Sequence, residues 1–156
     1  MTVASYGEIM GVFSSNTQPL KYTSSVNFNV AGAECNTLIG LSKLGINTTL
    51  LTAVGEDSVG NAILQKLASE RINLNYVHQL AHNNTGIMLK EKGIGSKINI
   101  DYFRKNSAVN SLDIDPFFKT FIENASLSYL TGITPALSKT TYINTIKLIE
   151  ETKKQN

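Results

Sequence analysis

Residues 31–36 read AGAECN: two alanines and a glycine stand directly before an acid, a thiol and an amide, and a helical apolar pattern follows. Two chemistries are open to such a stretch. A tight strand-to-helix turn needs small residues for close packing. Alternatively, a ligand lies against the bare backbone there and is held by Asn36. Further along, Arg104 and Lys105 place paired positive charge beside Tyr102. Basic residues at the end of a strand are usually only solvated, so this pair also carries two readings. Glu8, Glu34, Asp57 and Asp101 supply carboxylates.

Other candidates are weaker. His78 and His82 stand four apart, a spacing that on a helix could share a metal. No third ligand is near them and the segment reads as strand and loop, so surface histidines and no metal site are expected. Cys35 has no histidine close in sequence and reads as a small buried hydrophobe. Neither G-x-x-x-x-G-K-[ST] nor G-x-G-x-x-G occurs, so the common phosphate cradles are absent. GIGS at 93–96 reads as a hairpin turn.

The elements that must position these residues follow from periodicity. Residues 2–10 suggest a short strand interrupted at Gly7-Glu8, and 20–30 alternate like an exposed strand. Residues 33–44 are helical, with Leu38, Leu41 and Leu44 on one side and Gly45 as the C-terminal cap. NTTLLTAV at 47–54 is a buried strand. Asp57-Ser58 caps a second helix carrying Val59, Ile63 and Leu67 on one face. Residues 85–91 and 97–103 form a hairpin. Asp115-Pro116 opens a helix containing Phe117, Phe121 and Ile122. LSYLTG at 127–132 is a strand, and Ser138 opens a last helix with Tyr142, Ile146 and Ile149 facing inward. Alternating strands and helices predict an α/β fold with a mostly parallel sheet. Segments 20–30 and 74–103 break that rhythm and read as a small antiparallel β lid. The chain ends on a charged helix where the alternation calls for a strand, so it reads as unfinished.

Composition narrows the class. A chain of 156 residues with 42% hydrophobic and 17% charged residues suits one soluble globular domain. The net charge of +2 argues against nucleic-acid or anionic-membrane partners. The single cysteine fits a reducing, cytoplasmic location, and no run is long and apolar enough to span a bilayer.

Taken together, the stretches AGAECN…LSKLG…LLTAVGEDSVG resemble the N-terminal half of a ribokinase-like (PfkB-type) carbohydrate kinase. Ala31, Gly32, Ala33, Asn36, Gly45, Gly55, Asp57 and Gly60 match that family's first signature region, and the similarity covers essentially the whole chain, 1–156. Within the family, GE at 7–8, GAE at 32–34, YFRKNSA at 102–108 and LTGITPALS at 130–138 are most similar to the 2-keto-3-deoxygluconate kinases. The resemblance implies a three-layer fold in which this chain is the sugar-binding half. It implies a substrate site at Gly32, Ala33, Asn36, Tyr102 and Arg104, with Met88 where the family has a tyrosine. An Arg fork can grip a sugar carboxylate with two charge-assisted bonds while Tyr102 orients it. The implied reaction is transfer of the ATP γ-phosphate, with Mg²⁺, to a hydroxyl of 2-keto-3-deoxygluconate, in a homodimer joined through the lid. The family's GAGD helix start and catalytic Asp are absent from these residues, so the chain by itself is expected to be inactive. Two alternatives stand beside this reading. One is a fructokinase or ribokinase. The other is a truncated, non-catalytic sugar-binding or assembly module.

Overall fold

The computed structural model describes residues 1–93 and 97–154. The strands are β1 (Thr2–Tyr6), β2 (Met10–Ser15), β3 (Asn27–Ala31), β4 (Asn47–Gly55), β5 (Val77–Leu80), β6 (Ile87–Lys92), β7 (Ile98–Phe103) and β8 (Leu127–Tyr129). The helices are α1 (Ala33–Lys43), α2 (Ser58–Ser69), α3 (Phe118–Glu123) and α4 (Lys139–Lys154). A parallel sheet runs in the order β5-β4-β1-β8. Its strands send alternate residues to opposite faces. Val3, Leu50 and Val54 meet Leu38 of α1 and Ile63 and Leu67 of α2. Ala4, Tyr6, Leu51 and Ala53 meet Phe121, Ile122 and Leu148 on the other side. The result is the expected three-layer α/β architecture, with mostly continuous apolar strands because both faces are covered.

A second sheet, ordered β3-β2-β6-β7, forms the lid. It is mixed rather than antiparallel: β2 pairs with β6 in parallel, while β2–β3 and β6–β7 are antiparallel. Its bounds also differ from expectation. β5 lies in the main sheet, paired with β4, and β2 lies in the lid. The single strand expected over 2–10 is therefore two strands in two sheets, with Gly7–Ile9 as the passage between them. Within 20–30, residues Leu20–Tyr22 form a 3-10 turn and only β3 is extended. The β6–β7 hairpin is present, but Ile94, Gly95 and Ser96 of its expected turn lie outside the described residues.

Local chemistry explains the element ends. Gly45 adopts φ +81 just past α1, the left-handed conformation that favours glycine at a helix end. Asp57 caps α2, accepting from the Gly60 amide at 2.7 Å. The same carboxylate accepts from the Thr85 amide and hydroxyl, both at 2.8 Å, and so ties the α2 start to the approach of β6. Burial pushes the Asp57 carboxyl up, but these hydrogen bonds outweigh it and hold the group below its ordinary range. The expected Asp115-Pro116 cap is not formed. Asp113 takes the Asp115 amide, Phe118 bonds back to Ile114, and α3 begins at Phe118.

The last helix is turned relative to its apolar pattern. Tyr142 is 55% exposed, and the buried positions are Thr141, Asn144, Thr145 and Leu148, themselves at helical spacing. Burial is tolerated because each polar group is partnered. Thr141 accepts from and donates to Ser138, Thr145 donates to the Thr141 carbonyl, and Asn144 Nδ2 donates to the Tyr6 hydroxyl and the Leu112 carbonyl.

The two sheets meet where Gly7 and Glu8 pass the start of α1. Gly32 has extended backbone, φ −175, that any residue adopts. Its constraint is space: an added Cβ would overlap the Glu8 carbonyl oxygen. Two consequences can be measured by urea unfolding. Asn144→Ala is expected to destabilise the fold by about 1–3 kcal/mol, because it strands buried polar partners. Gly32→Ala is expected to cost about 1–3 kcal/mol through overpacking against backbone; a midpoint unchanged from the parent would contradict the packing described.

Candidate substrate site

The passage at 7–9, the first turn of α1, the ends of β6 and β7 and the 131–134 segment converge on one cavity of about 170 Å³. All six residues implied by the sequence resemblance line it: Gly32, Ala33, Asn36, Met88, Tyr102 and Arg104. Register explains part of this. Met88 and Tyr102 are cross-strand partners, so both side chains emerge on the same face of the lid. Asn36 sits one turn into α1, its amide bonded to the Gly32 carbonyl at 2.8 Å, and its side chain is exposed. Gly32, expected to be bare for a ligand's approach, is bare because Glu8 backbone lies against it.

The sequence-based site omitted Glu8, Glu34 and Thr134, which also line the cavity. The signal was present in the GE, GAE and LTGITPALS stretches, but nothing local said that they meet. Glu34 is 1% exposed, and its Oε1 accepts from the hydroxyls of Thr131, at 2.6 Å, and Thr134, at 2.9 Å. These bonds pin the 131–134 segment to the α1 start. Gly7 is small for the complementary reason: a Cβ there would collide with the Glu34 carboxylate.

Arg104 is not the free cation the sequence suggested. Its Nη2 stands 2.5 Å from Glu8 Oε2, and its guanidinium lies 5.6 Å from the Tyr102 ring centre. Glu8 also accepts a short hydrogen bond from the Ser107 hydroxyl, which in turn accepts from Asn110 Nδ2 at 2.9 Å. Burial pushes the Glu8 carboxyl above its ordinary range, and Ser107 and Arg104 only partly offset this. Arg104 Nε is buried and has no hydrogen-bond partner among the described residues. Such an arrangement can present oriented N–H donors and a tyrosine hydroxyl to a polyhydroxylated or anionic ligand.

The remaining candidates are structural. Cys35 is buried, and desolvation raises its thiol to about 12, which removes nucleophilic character. His78 lies on β5, stacked on Phe117 at 4.1 Å between ring centres. Among the described residues, no three or more His, Cys, Asp or Glu side chains gather as a metal site. No helix of the described residues is long and apolar enough to cross a membrane.

Comparison with known proteins places the chain in a family. The family model of the pfkB family carbohydrate kinases matches residues 2–156. The chain is 34% identical over 140 residues to a 2-dehydro-3-deoxygluconokinase of Bacillus subtilis, covering 88% of this chain and 43% of that protein. A 2-dehydro-3-deoxygluconokinase of Thermoproteus tenax is 30% identical over 77% of this chain and 38% of its own length. The crystal structure of a PfkB protein from Polaromonas sp. superposes with TM-score 0.93 at 28% identity, covering 100% of this chain and 53% of that one. The chain thus spans about half the length of the relatives it matches. With its three layers, its lid and a family match over nearly every residue, this chain belongs to the pfkB family of carbohydrate kinases.

Proposed function

We propose that this chain forms the sugar-binding part of an ATP-dependent carbohydrate kinase acting on a sugar acid, with 2-keto-3-deoxygluconate as the substrate. The observation that carries the reading is the gathering of Gly32, Asn36, Tyr102 and Arg104, distant in sequence, around one cavity. Relatives named 2-dehydro-3-deoxygluconokinase support it. In this reading Asn36 and Tyr102 hold the sugar hydroxyls and Arg104 donates to the carboxylate. Glu34 fixes the segment carrying Thr134 beside the sugar. Orienting the substrate hydroxyl for attack is this chain's share of the work.

A putative ribokinase II of E. coli has been crystallised with ATP and Mg²⁺. The residues described here contain no phosphate cradle or metal cluster that fits either group. The reading therefore assigns nucleotide, Mg²⁺ and general base to chain outside these residues, and no step is derived through them. A cytoplasmic location accompanies it.

A kinase of neutral sugars is the second reading. Met88 in place of a tyrosine and the prior pairing of Arg104 with Glu8 favour it. Arg104→Ala in the intact gene product separates the two. Loss of a charge-assisted pair is worth about 1.5–3 kcal/mol, roughly a tenfold to hundredfold drop in kcat/KM for the sugar acid. Arg104→Lys is expected to recover only part. Because Glu8 also loses its partner, the informative quantity is the difference between two substrates in one variant. Equal loss with fructose and 2-keto-3-deoxygluconate defeats the sugar-acid assignment.

The same reading includes a homodimer through the lid. Ile98 and Ile100 are both more than 40% exposed on one face of β7, an apolar strip expected to seek cover. Light scattering of the intact protein is expected to give a dimer that Ile100→Asp weakens. A stable monomer in the parent protein refutes it.

A further inference from the structure

We propose that Glu8 is a positioning residue for the substrate site, holding the Arg104 guanidinium in one orientation through a buried ion pair that Ser107 and Asn110 brace from behind. The inference rests on the reading of the cavity as the sugar site and adds to it a residue that does not itself need to bind the sugar.

Arg104 lies one residue beyond the end of β7, so its backbone is not held in the ladder. The ring that faces its guanidinium belongs to Tyr102, itself 53% exposed. Glu8, by contrast, is 4% exposed and sits on the short passage between the two sheets. Its position is over-determined. Its carbonyl fills the space left by Gly32, and a Cβ at Gly86 would press on its carboxylate. The Ser107 hydroxyl donates to Oε1, and Asn110 Nδ2 donates to both Ser107 Oγ and the Arg104 carbonyl. The 104–110 loop and the 7–9 passage are thus locked together through one carboxylate. With Nη2 taken by Glu8 and Nε buried without a partner, the guanidinium has a fixed side and an unsatisfied one.

Two effects of Glu8 on a sugar acid oppose each other. Its negative charge, beside the Glu34 carboxylate, disfavours a further carboxylate in the cavity. Its grip on Arg104 removes the rotamer freedom that a long side chain otherwise loses on binding. The charge term alone predicts that Glu8→Gln binds a sugar acid more tightly; positioning predicts the reverse. Misplacement of a binding group by about 1 Å costs on the order of a hundredfold, whereas the anionic ligand still meets the guanidinium in either case. Positioning is therefore the larger effect.

The test is a double-mutant cycle on KM for 2-keto-3-deoxygluconate in the intact gene product, using Glu8→Gln, Arg104→Gln and both together. Glu8→Gln is expected to raise KM about tenfold or more with kcat changed much less. In the Arg104→Gln background the same substitution is expected to add almost nothing. Ser107→Ala, which removes a donor to Glu8 but no charge, is expected to raise KM in the same direction by less, and again only while Arg104 is present; it serves if Glu8→Gln does not fold. A pH series gives an independent readout. The groups facing Glu8 are Arg104, Ser107 and Glu34. Burial raises the Glu8 carboxyl, so the pair is intact above that raised value and lost as pH falls through it. The parent KM is expected to climb on that acid limb, and the limb to vanish in Glu8→Gln. A lower KM in Glu8→Gln, or an equal factor in both backgrounds, overturns the proposal while leaving the site reading intact. No effect of Arg104→Gln by itself overturns both.

Discussion

The packing of residues 7–8 against residues 32–34 is the constraint on which the rest of the structure depends. Gly7 leaves room for the Glu34 carboxylate, and Gly32 leaves room for the Glu8 carbonyl. Each glycine is small for the other segment's glutamate. This reciprocal contact is where β1 hands the chain to the lid and where β3 hands it back to α1. Both sheets therefore share one anchor, and the cavity lies beside it. A site at such a junction inherits rigidity from the core and breadth from the lid.

The same junction buries two carboxylates, and each is treated differently. Glu34 accepts from two threonine hydroxyls at Oε1, while its buried Oε2 has no hydrogen-bond partner among the described residues, so its visible role is to attach the 131–134 segment. Glu8 is matched by a cation and a serine, so its role extends to the guanidinium it holds. An unpaired buried charge is costly enough that removing one partner of such a pair usually destabilises strongly. In the proposed site, stability and ligand recognition would consequently be coupled at Arg104, and substitutions there would report on both.

The asymmetry of the two sheets has a related cause. The main sheet is covered on both faces, by α1 and α2 on one side and by α3 and α4 on the other. The lid has helical support where the Val59 side chain of α2 meets β2 at Gly11 and where Val30 of β3 packs against the cluster that holds α1 and α2. Its strands otherwise keep large apolar side chains in solvent, Phe28 and Ile100 among them. Exposed apolar strands of this kind are what the proposed dimer would cover.

Much was legible in the residues alone. The presence of the four helices, the Gly45 end of α1 and the Asp57 cap of α2 follow from local rules, because caps and periodicity act over a few residues. Motif resemblance also named six residues that the fold brings around one cavity, Gly32, Ala33, Asn36, Met88, Tyr102 and Arg104. Tertiary structure decided what local rules cannot reach. α4 buries Thr141, Asn144 and Thr145 rather than Tyr142, because partners distant in the chain satisfy Asn144 and the helix's own first turns satisfy the threonines. β2 left the first strand for a second sheet because Gly7 and Gly32 let two segments pass at backbone contact. Arg104 read as a free cation, and its neutralisation by Glu8, 96 positions earlier, exists only once the lid is folded onto the core. Spacing along a chain reports neighbours on a helix or strand; which buried charge meets which is settled only by the fold.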